Sequence, residues 1–255
     1  MDYVQFVSKV KTLTNIDLSF YKEKQMKRRI NALITRNGKE NYQQYFELLK
    51  SSKEHLDEFM QFITINVSEF FRNPPQWEIL NSDILPRLLN SKSHLKIWSS
   101  ACATGEEPYS LAILCNELGI FEKVNIIASD IDINALEKAK EGKYEQKGIS
   151  NIPKEIVNRY FVKYQNCYII RQELKNKIKY IKLDLLRDNF PMNFDLILCR
   201  NVMIYFTEEA KDILYRKFHK ALAPDGIFFV GSTEQIIMPQ KYGFANLRNF
   251  FYKKI

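Results

Sequence analysis

Residues able to do chemistry gather in one short stretch of the chain, Ser99-Ser100-Ala101-Cys102-Ala103-Thr104-Gly105-Glu106-Glu107. An apolar run, Leu95 to Trp98, stops at these small residues, and an apolar-periodic helix begins after the two carboxylates. Strand, tight turn and helix in that order cradle a nucleotide-like ligand at the carboxyl end of a parallel strand. The turn holds one glycine where a dinucleotide fingerprint has three, and no lysine follows it as in a phosphate-gripping loop. Acidic residues stand where a phosphate binder avoids them. The chemistry suits a cationic or zwitterionic ligand.

S-adenosylmethionine, with its sulfonium and ammonium groups, is such a ligand, and further residues fall where a sheet that binds it needs them. Glu107 can accept a hydrogen bond from the ammonium, or can simply complement the positive end of the helix. Asp130 ends the run Ile126-Ile127-Ala128-Ser129-Asp130. A carboxylate there can accept from both ribose hydroxyls; alternatively it caps the next helix, a role Asp132 can also fill. Asp184 and Leu185 follow the run Ile178–Leu183 and can meet the adenine amino edge, or Asp184 is a turn residue. The run Phe194–Cys199 leads into Arg200-Asn201, at the sheet edge where open α/β folds bind ligands.

Those elements are positioned by two different patterns. From residue 95 onward, short β-forming runs (Leu95–Trp98, Val124–Ala128, Ile178–Leu183, Asp195–Cys199, Ile227–Val230) alternate with helical stretches near 107–118, 132–141 and 208–222. The expectation is an α/β, Rossmann-like, mostly parallel sheet covered on both faces. A helix plus short strands is expected as an insert at about 142–177, and Leu247–Tyr252 as a closing edge strand. Residues 1–65 read as a small all-helical domain: Tyr42, Tyr45, Phe46 and Leu49 form one apolar stripe and Leu56, Phe59, Met60 and Ile63 another. Met26, Ile30 and Leu33 form a third, with Lys24, Lys27 and Arg28 opposite and Arg29 on the flank. That basic face is either solvated or docks an acidic partner. Residues 66–94, with Pro74, Pro75 and Pro86, are expected as a linker contributing to the ligand site, and 95–255 as the catalytic domain.

Bulk properties narrow the class. The net charge of +8 points to an acidic partner without choosing among nucleic acid, an anionic surface and a carboxylate-rich protein. No run approaches the ~20 apolar residues of a membrane span, and no secretory signal pattern opens the chain, which reads as cytoplasmic. Four scattered cysteines and three separated histidines suggest neither a disulfide framework nor a metal site.

Four stretches together resemble the chemotaxis receptor methyltransferases (CheR): Asn66-Val67-Ser68-Glu69-Phe70-Phe71-Arg72, Trp98 to Ser110 with its Thr104-Gly105-Glu106-Glu107-Pro108-Tyr109-Ser110 core, Ala128 to Asp132, and Cys199-Arg200-Asn201-Val202-Met203-Ile204-Tyr205-Phe206. The resemblance covers nearly the whole chain. It implies S-adenosylmethionine-dependent methylation of glutamate side chains on the acidic helical methylation region of chemoreceptors, releasing S-adenosylhomocysteine, with no metal, nucleic-acid substrate or membrane insertion. It implies that Asn66, Ser68, Arg72, Glu107, Asp130, Asp184, Leu185, Arg200 and Asn201 line the cofactor site and that Arg72 and Tyr205 flank the transferring methyl. The helical domain would dock the receptor through Lys24, Lys27 and Arg28. Ser68 stands where threonine is usual and Asp184 where asparagine is common. The region 160–175 lacks the glycine-rich turn of members that grip a receptor peptide, so peptide-independent docking is expected.

A glutamate carboxylate, with a reference pKa of about 4.3, needs no base to become a nucleophile, which agrees with the lack of a plausible catalytic histidine. Two other classes compete. A nucleic-acid methyltransferase would share the fold and explain the basic charge, and Asn73-Pro74-Pro75-Gln76-Trp77 mimics an amino-methylase loop. That mimic lies upstream of the cofactor turn, however, and reads better as a helix start with proline in its first turn. A non-catalytic cofactor-binding adaptor is the second, against which the joint presence of Arg72 and Tyr205 argues.

Overall fold

The computed structural model describes all residues, Met1–Ile255. Two compact units emerge: Met1–Asn66 with Met203–Ile213, and Val67–Val202 with Leu214–Ile255.

The smaller unit contains α1 (Tyr3–Thr14), α2 (Glu23–Arg36), α3 (Tyr42–Ser51) and α4 (Lys53–Thr64). Local chemistry starts three of them. Asp2 and Gln5 form a reciprocal capping box on α1, Asn41 caps α3 and Ser52 caps α4. The apolar stripes converge on Phe6, whose ring meets those of Tyr42, Tyr45, Phe46 and Phe59. The stripe of α2 is buried as Met26, Ile30, Leu33 and Ile34. The segment around Tyr205 is stitched to residues 20–22 in this unit: Lys22 N–H donates to the Tyr205 carbonyl at 2.8 Å and Thr207 N–H to the Phe20 carbonyl at 2.8 Å.

The larger unit begins with α5 (Pro74–Ile79) and α6 (Leu85–Leu89), joined by a π-helical turn at Leu80–Ile84. The stretch expected as a linker is therefore largely helical, and Phe70, Trp77, Leu80, Ile84, Leu85 and Leu88 lie in the core. The prolines sit in the first turns of the two helices, where no backbone donor is missed, Pro74 and Pro75 at the helix start expected of them.

The sheet follows, with β1 (Leu95–Ser99), α7 (Glu106–Glu117), β2 (Val124–Asp130) and α8 (Ile133–Glu141). The insert holds β3 (Lys143–Glu145), α9 (Lys154–Tyr160), β4 (Phe161–Tyr164), β5 (Cys167–Ile170) and α10 (Gln172–Lys177), its strands forming a separate antiparallel sheet in the order β3-β5-β4. Then come β6 (Ile178–Lys182), β7 (Phe194–Cys199), α11 (Glu208–Ala221), β8 (Leu222–Val230), β9 (Phe244–Arg248) and β10 (Phe251–Lys254). The single closing strand expected at 247–252 is instead two antiparallel strands turning at Asn249-Phe250, where Phe250 has φ 71°.

The main sheet has the order β6-β2-β1-β7-β8-β10-β9. Its first five strands are parallel; β10 alone runs against them, and β9, antiparallel to β10, runs in their direction at the edge. Every residue of β7 is buried, as a central strand covered on both faces requires. From β1 the chain moves outward through β2 to β6, then returns to place β7 on the other side of β1. Strand order thus reverses between β1 and β7, and ligands of open α/β sheets bind at the carboxyl ends beside such a reversal. The loops after β1 and β7 meet that condition.

Candidate active site

Small polar residues tie the strand ends together. The Ser100 hydroxyl donates to the Leu198 carbonyl at 2.8 Å, Ser129 Oγ to the Ser100 carbonyl at 3.0 Å, and Trp98 Nε1 to Ser129 Oγ at 2.9 Å. With the rim fixed, the β1–α7 turn runs through Ala103 (φ 45°) to Gly105 (φ 97°). Glycine is required there twice over. The backbone is left-handed, and a Cβ would stand 2.9 Å from the Ala139 Cβ of α8.

Carboxylates crowd this turn. Asp130 Oδ2 accepts from the Ala103 N–H at 2.8 Å and Oδ1 from the Asp132 N–H at 3.0 Å. Asp132 caps α8, the role considered for either aspartate. Thr104 donates to Glu106 at 2.7 Å, and Ser68 also hydrogen-bonds it. Glu107 Oε1 accepts from Ser99 Oγ at 2.7 Å and Oε2 from Arg200 Nη1 at 3.2 Å. Glu106, Glu107 and Asp130 are all buried, and Arg200 is the one cation paired with any of them. Burial raises the carboxyls of Glu106 and Asp130 above the usual range, and the hydrogen bonds they accept oppose it. Burial, and then these same acids, push the Cys102 thiol well up, keeping it neutral.

The segment before α5 is pinned to this rim. Phe71 N–H donates to Ser110 Oγ at 2.9 Å, and Asn151 Nδ2 to the Phe70 carbonyl at 2.5 Å. The Arg72 carbonyl accepts from both Trp77 Nε1 (3.0 Å) and Arg200 Nη2 (2.6 Å). Phe71 and Asn73 on either side are left-handed, at φ 49° and 60°. Such conformations persist only where surroundings hold them. The Arg72 side chain is half-exposed, with one contact to the Val67 carbonyl at 3.3 Å.

Other expected residues are distributed as follows. Arg200, expected to line the cofactor site, directly follows β7 at the sheet's carboxyl rim. Its side chain is 2% exposed, turned inward against Trp77 and Phe229, because Glu107, Gln76 and the Arg72 carbonyl all draw it there. Asn201 is half-buried and left-handed (φ 61°), its N–H donating to Glu234 Oε2 at 2.6 Å. Asp184 closes a turn by accepting from Leu186 N–H at 2.9 Å, and burial raises its carboxyl. Leu185 is buried, its carbonyl taken by Lys217 at 2.6 Å. Asn66 and Tyr205 belong to the smaller unit and both are half-buried. In that unit Lys24, Lys27 and Arg28 are exposed on α2. Arg29 instead folds over Phe62, 4.4 Å from the ring, and interacts electrostatically with Tyr205.

Sequence reasoning missed Gln76, Glu234 and Tyr144. Tyr144, on β3 of the insert, donates to the Thr104 carbonyl of the cofactor turn at 2.8 Å. Glu234 had a readable signal, since the polar cluster Gly231-Ser232-Thr233-Glu234 directly follows β8. Gln76 had none.

Comparison with known proteins decides what this rim belongs to. Residues 66–251 match the family described as CheR methyltransferase, SAM binding domain, and residues 1–64 match CheR methyltransferase, all-alpha domain. The chain belongs to the CheR methyltransferase family. A Listeria innocua chemotaxis protein methyltransferase is 41% identical over 254 residues, covering 99% of this chain and 97% of the relative. Those of Borreliella burgdorferi and Escherichia coli are 35% and 36% identical, covering 89% and 77% of this chain and 88% and 71% of the relatives.

As a CheR family member, the chain is an S-adenosylmethionine-dependent methyltransferase. The residues present fit that cofactor. Of the buried carboxylates Glu106, Glu107 and Asp130, only Glu107 is paired with a cation, Arg200, so this rim carries an excess of negative charge that a sulfonium and an ammonium would offset. Of these groups Glu106 borders a groove of about 620 Å³, together with Ser68, Thr104 and Tyr144. No helix is long and apolar enough to cross a membrane.

The raised carboxyls give a pH dependence with a definite sign. An acid whose folded pKa is raised binds extra protons in the fold, so its stabilising share is present at low pH and is lost as pH rises through the folded value. A cationic ligand favours the ionised form and reverses that preference. Affinity for S-adenosylmethionine is therefore expected to fall on acidification toward the ordinary glutamate value of 4.5, with protons released on binding in that range. Calorimetry from about pH 8 to about pH 5 in buffers of different ionisation heat checks this. Unchanged affinity with no buffer-dependent heat would contradict it.

Proposed function

We propose that this chain transfers the methyl of S-adenosylmethionine to glutamate side chains on the acidic helices of chemoreceptors, giving glutamate methyl esters in chemotactic adaptation. When bound, S-adenosylmethionine supplies an electrophilic methyl on a sulfonium. A glutamate, ionised at neutral pH, is already the nucleophile. The observation that supports this reading most is Arg72, whose carbonyl is held twice while its guanidinium remains accessible.

Arg72 would take the substrate carboxylate in a two-pronged grip, and the Tyr205 hydroxyl would orient it. Stripping water from the carboxylate and aligning it is the main barrier, and alignment of this kind recovers about 7–11 kcal/mol in model reactions. A grip that favoured the ground state would slow transfer, so Arg72 has to hold position more than bind tightly. Asp130 would receive the ribose hydroxyls; Glu107 and its neighbour Glu106 would face the ammonium. Ser68 and Asn66, with Asp184, Leu185 and Asn201, would complete the cofactor site.

Lys24, Lys27 and Arg28 would meet the acidic stripe of the receptor helices. Contacts of this type are screened beyond about 8 Å at physiological salt and act chiefly on association rate. Raising ionic strength from low to moderate is expected to weaken receptor docking, and charge reversal at these three positions is expected to remove the salt dependence. Salt-independent binding of the unaltered chain would contradict this role.

The reaction class is tested by incubating the chain with labelled methyl donor and, in parallel reactions, a receptor cytoplasmic fragment or nucleic acid. Carboxyl esters release labelled methanol in mild base. Base-stable label on nucleic acid would favour a nucleic-acid methyltransferase, and no labelled product would favour an adaptor.

A further inference from the structure

We propose that Gln76 is a positioning residue for methyl transfer, acting through Arg200 on the backbone of Arg72. The inference rests on the reading of Arg72 given above. Gln76 is 4% exposed, in the first turns of α5. Its Oε1 accepts from Arg200 Nη2 at 2.7 Å, and the same nitrogen donates to the Arg72 carbonyl at 2.6 Å. A guanidinium Nη carries two hydrogens. With one committed to Gln76, the other is aimed at Arg72. Nη1 meanwhile holds Glu107. The three acceptors fix the plane of the guanidinium, which lies with its carbon 4.7 Å from the Phe229 ring and 5.6 Å from that of Trp77.

Loss of the Gln76 acceptor leaves Arg200 held by Glu107 alone on its side-chain partners and frees it to turn. The Arg72 carbonyl then keeps only Trp77 Nε1. The left-handed residues Phe71 and Asn73 flank this point, so a loosened anchor lets the backbone relax and moves the Arg72 side chain. The Gln76 Nε2 makes no hydrogen bond. What the residue supplies is the acceptor.

The test is a kinetic cycle on the full chain with a receptor fragment as substrate, using Gln76→Leu, Gln76→Glu, Arg72→Ala and the Gln76→Leu/Arg72→Ala double variant, each checked for cooperative melting. Gln76→Leu is expected to lower kcat by about 10–100-fold with KM for S-adenosylmethionine within about threefold. Gln76→Glu keeps the acceptor and is expected to stay within about threefold of the unaltered chain. In the Arg72→Ala background, Gln76→Leu is expected to change kcat by less than about twofold, because the residue it acts through is gone. If the leucine variant does not melt cooperatively, Gln76→Met, closer in length and flexibility, takes its place in the cycle. The inference is overturned by an undiminished Gln76→Leu effect without Arg72, by unaltered turnover in Gln76→Leu, or by Gln76→Glu falling as far as leucine. If Arg72→Ala itself turns over normally, the Arg72 reading fails and the inference with it. If Arg72→Ala is impaired and the two effects multiply, only the inference fails.

Discussion

Replacing Arg72 with alanine is expected to lower kcat by about 10²-fold, the size of effect produced when a reacting group is misplaced by about 1 Å. Stability should change by less than about 1 kcal/mol. The reason is the division of labour within the residue. Its carbonyl, held by Trp77 and Arg200, is retained in alanine, whereas the guanidinium makes a single contact with the Val67 carbonyl. Arg72→Lys should recover only part of the rate, since an ammonium cannot offer a planar fork. Tyr205→Phe should likewise keep its fold, because the contacts that stitch residue 205 to residue 22 are made by the backbone, and should lose most turnover. Steady-state kinetics beside denaturant melts read both quantities. Unaltered kcat in either variant would remove that residue from the mechanism.

Arg200→Met is expected to destabilise the fold by about 3–5 kcal/mol, the cost of stripping the partner from a buried ion pair. The loss is concentrated because one side chain satisfies three acceptors: Glu107, Gln76 and the Arg72 carbonyl. Glu107 would keep its bond from Ser99 but remain a buried charge without a countercharge. Adding Glu107→Gln to Arg200→Met should therefore recover part of the loss. Urea melts of the single and double variants measure this. A loss below about 1 kcal/mol, the range of exposed pairs, would contradict the inward placement of the guanidinium.

The sheet was readable in the sequence wherever a buried strand leaves a continuous apolar run. Leu196–Cys199 is such a run and Leu95–Trp98 is one broken only by Lys96, and the small residues after Trp98 and Arg200-Asn201 after Cys199 mark their ends. The helical stripes of residues 42–63 were readable because one face repeats at helical spacing. Within 66–94 the Asn73-Pro74-Pro75 start is legible, but the helices that follow it are marked only by apolar spacing. The spacing of Trp77, Leu80, Ile84, Leu85 and Leu88 is helical, and proline in a first turn begins a helix. In the closing segment, Asn249 was the available sign of a turn between two strands.

Candidate site residues were legible by type and strand-end position, but the direction of their side chains was not. Arg200 carries the charge and location of a ligand-facing residue. Its orientation is set by Gln76 and Glu107, residues 124 and 93 positions away, and no local pattern encodes such partners. Asp130 shows the same ambiguity in milder form, since its carboxylate also braces the Ala103 amide of the cofactor turn.

The most direct test maps the transferred methyl. A chemoreceptor cytoplasmic fragment is incubated with this chain and a deuterated methyl donor, digested, and sequenced by tandem mass spectrometry. The account predicts deuterated methyl on glutamate side-chain carboxylates within the acidic helices. Deuterium confined to nitrogen-bearing side chains, or none on the fragment, would contradict it.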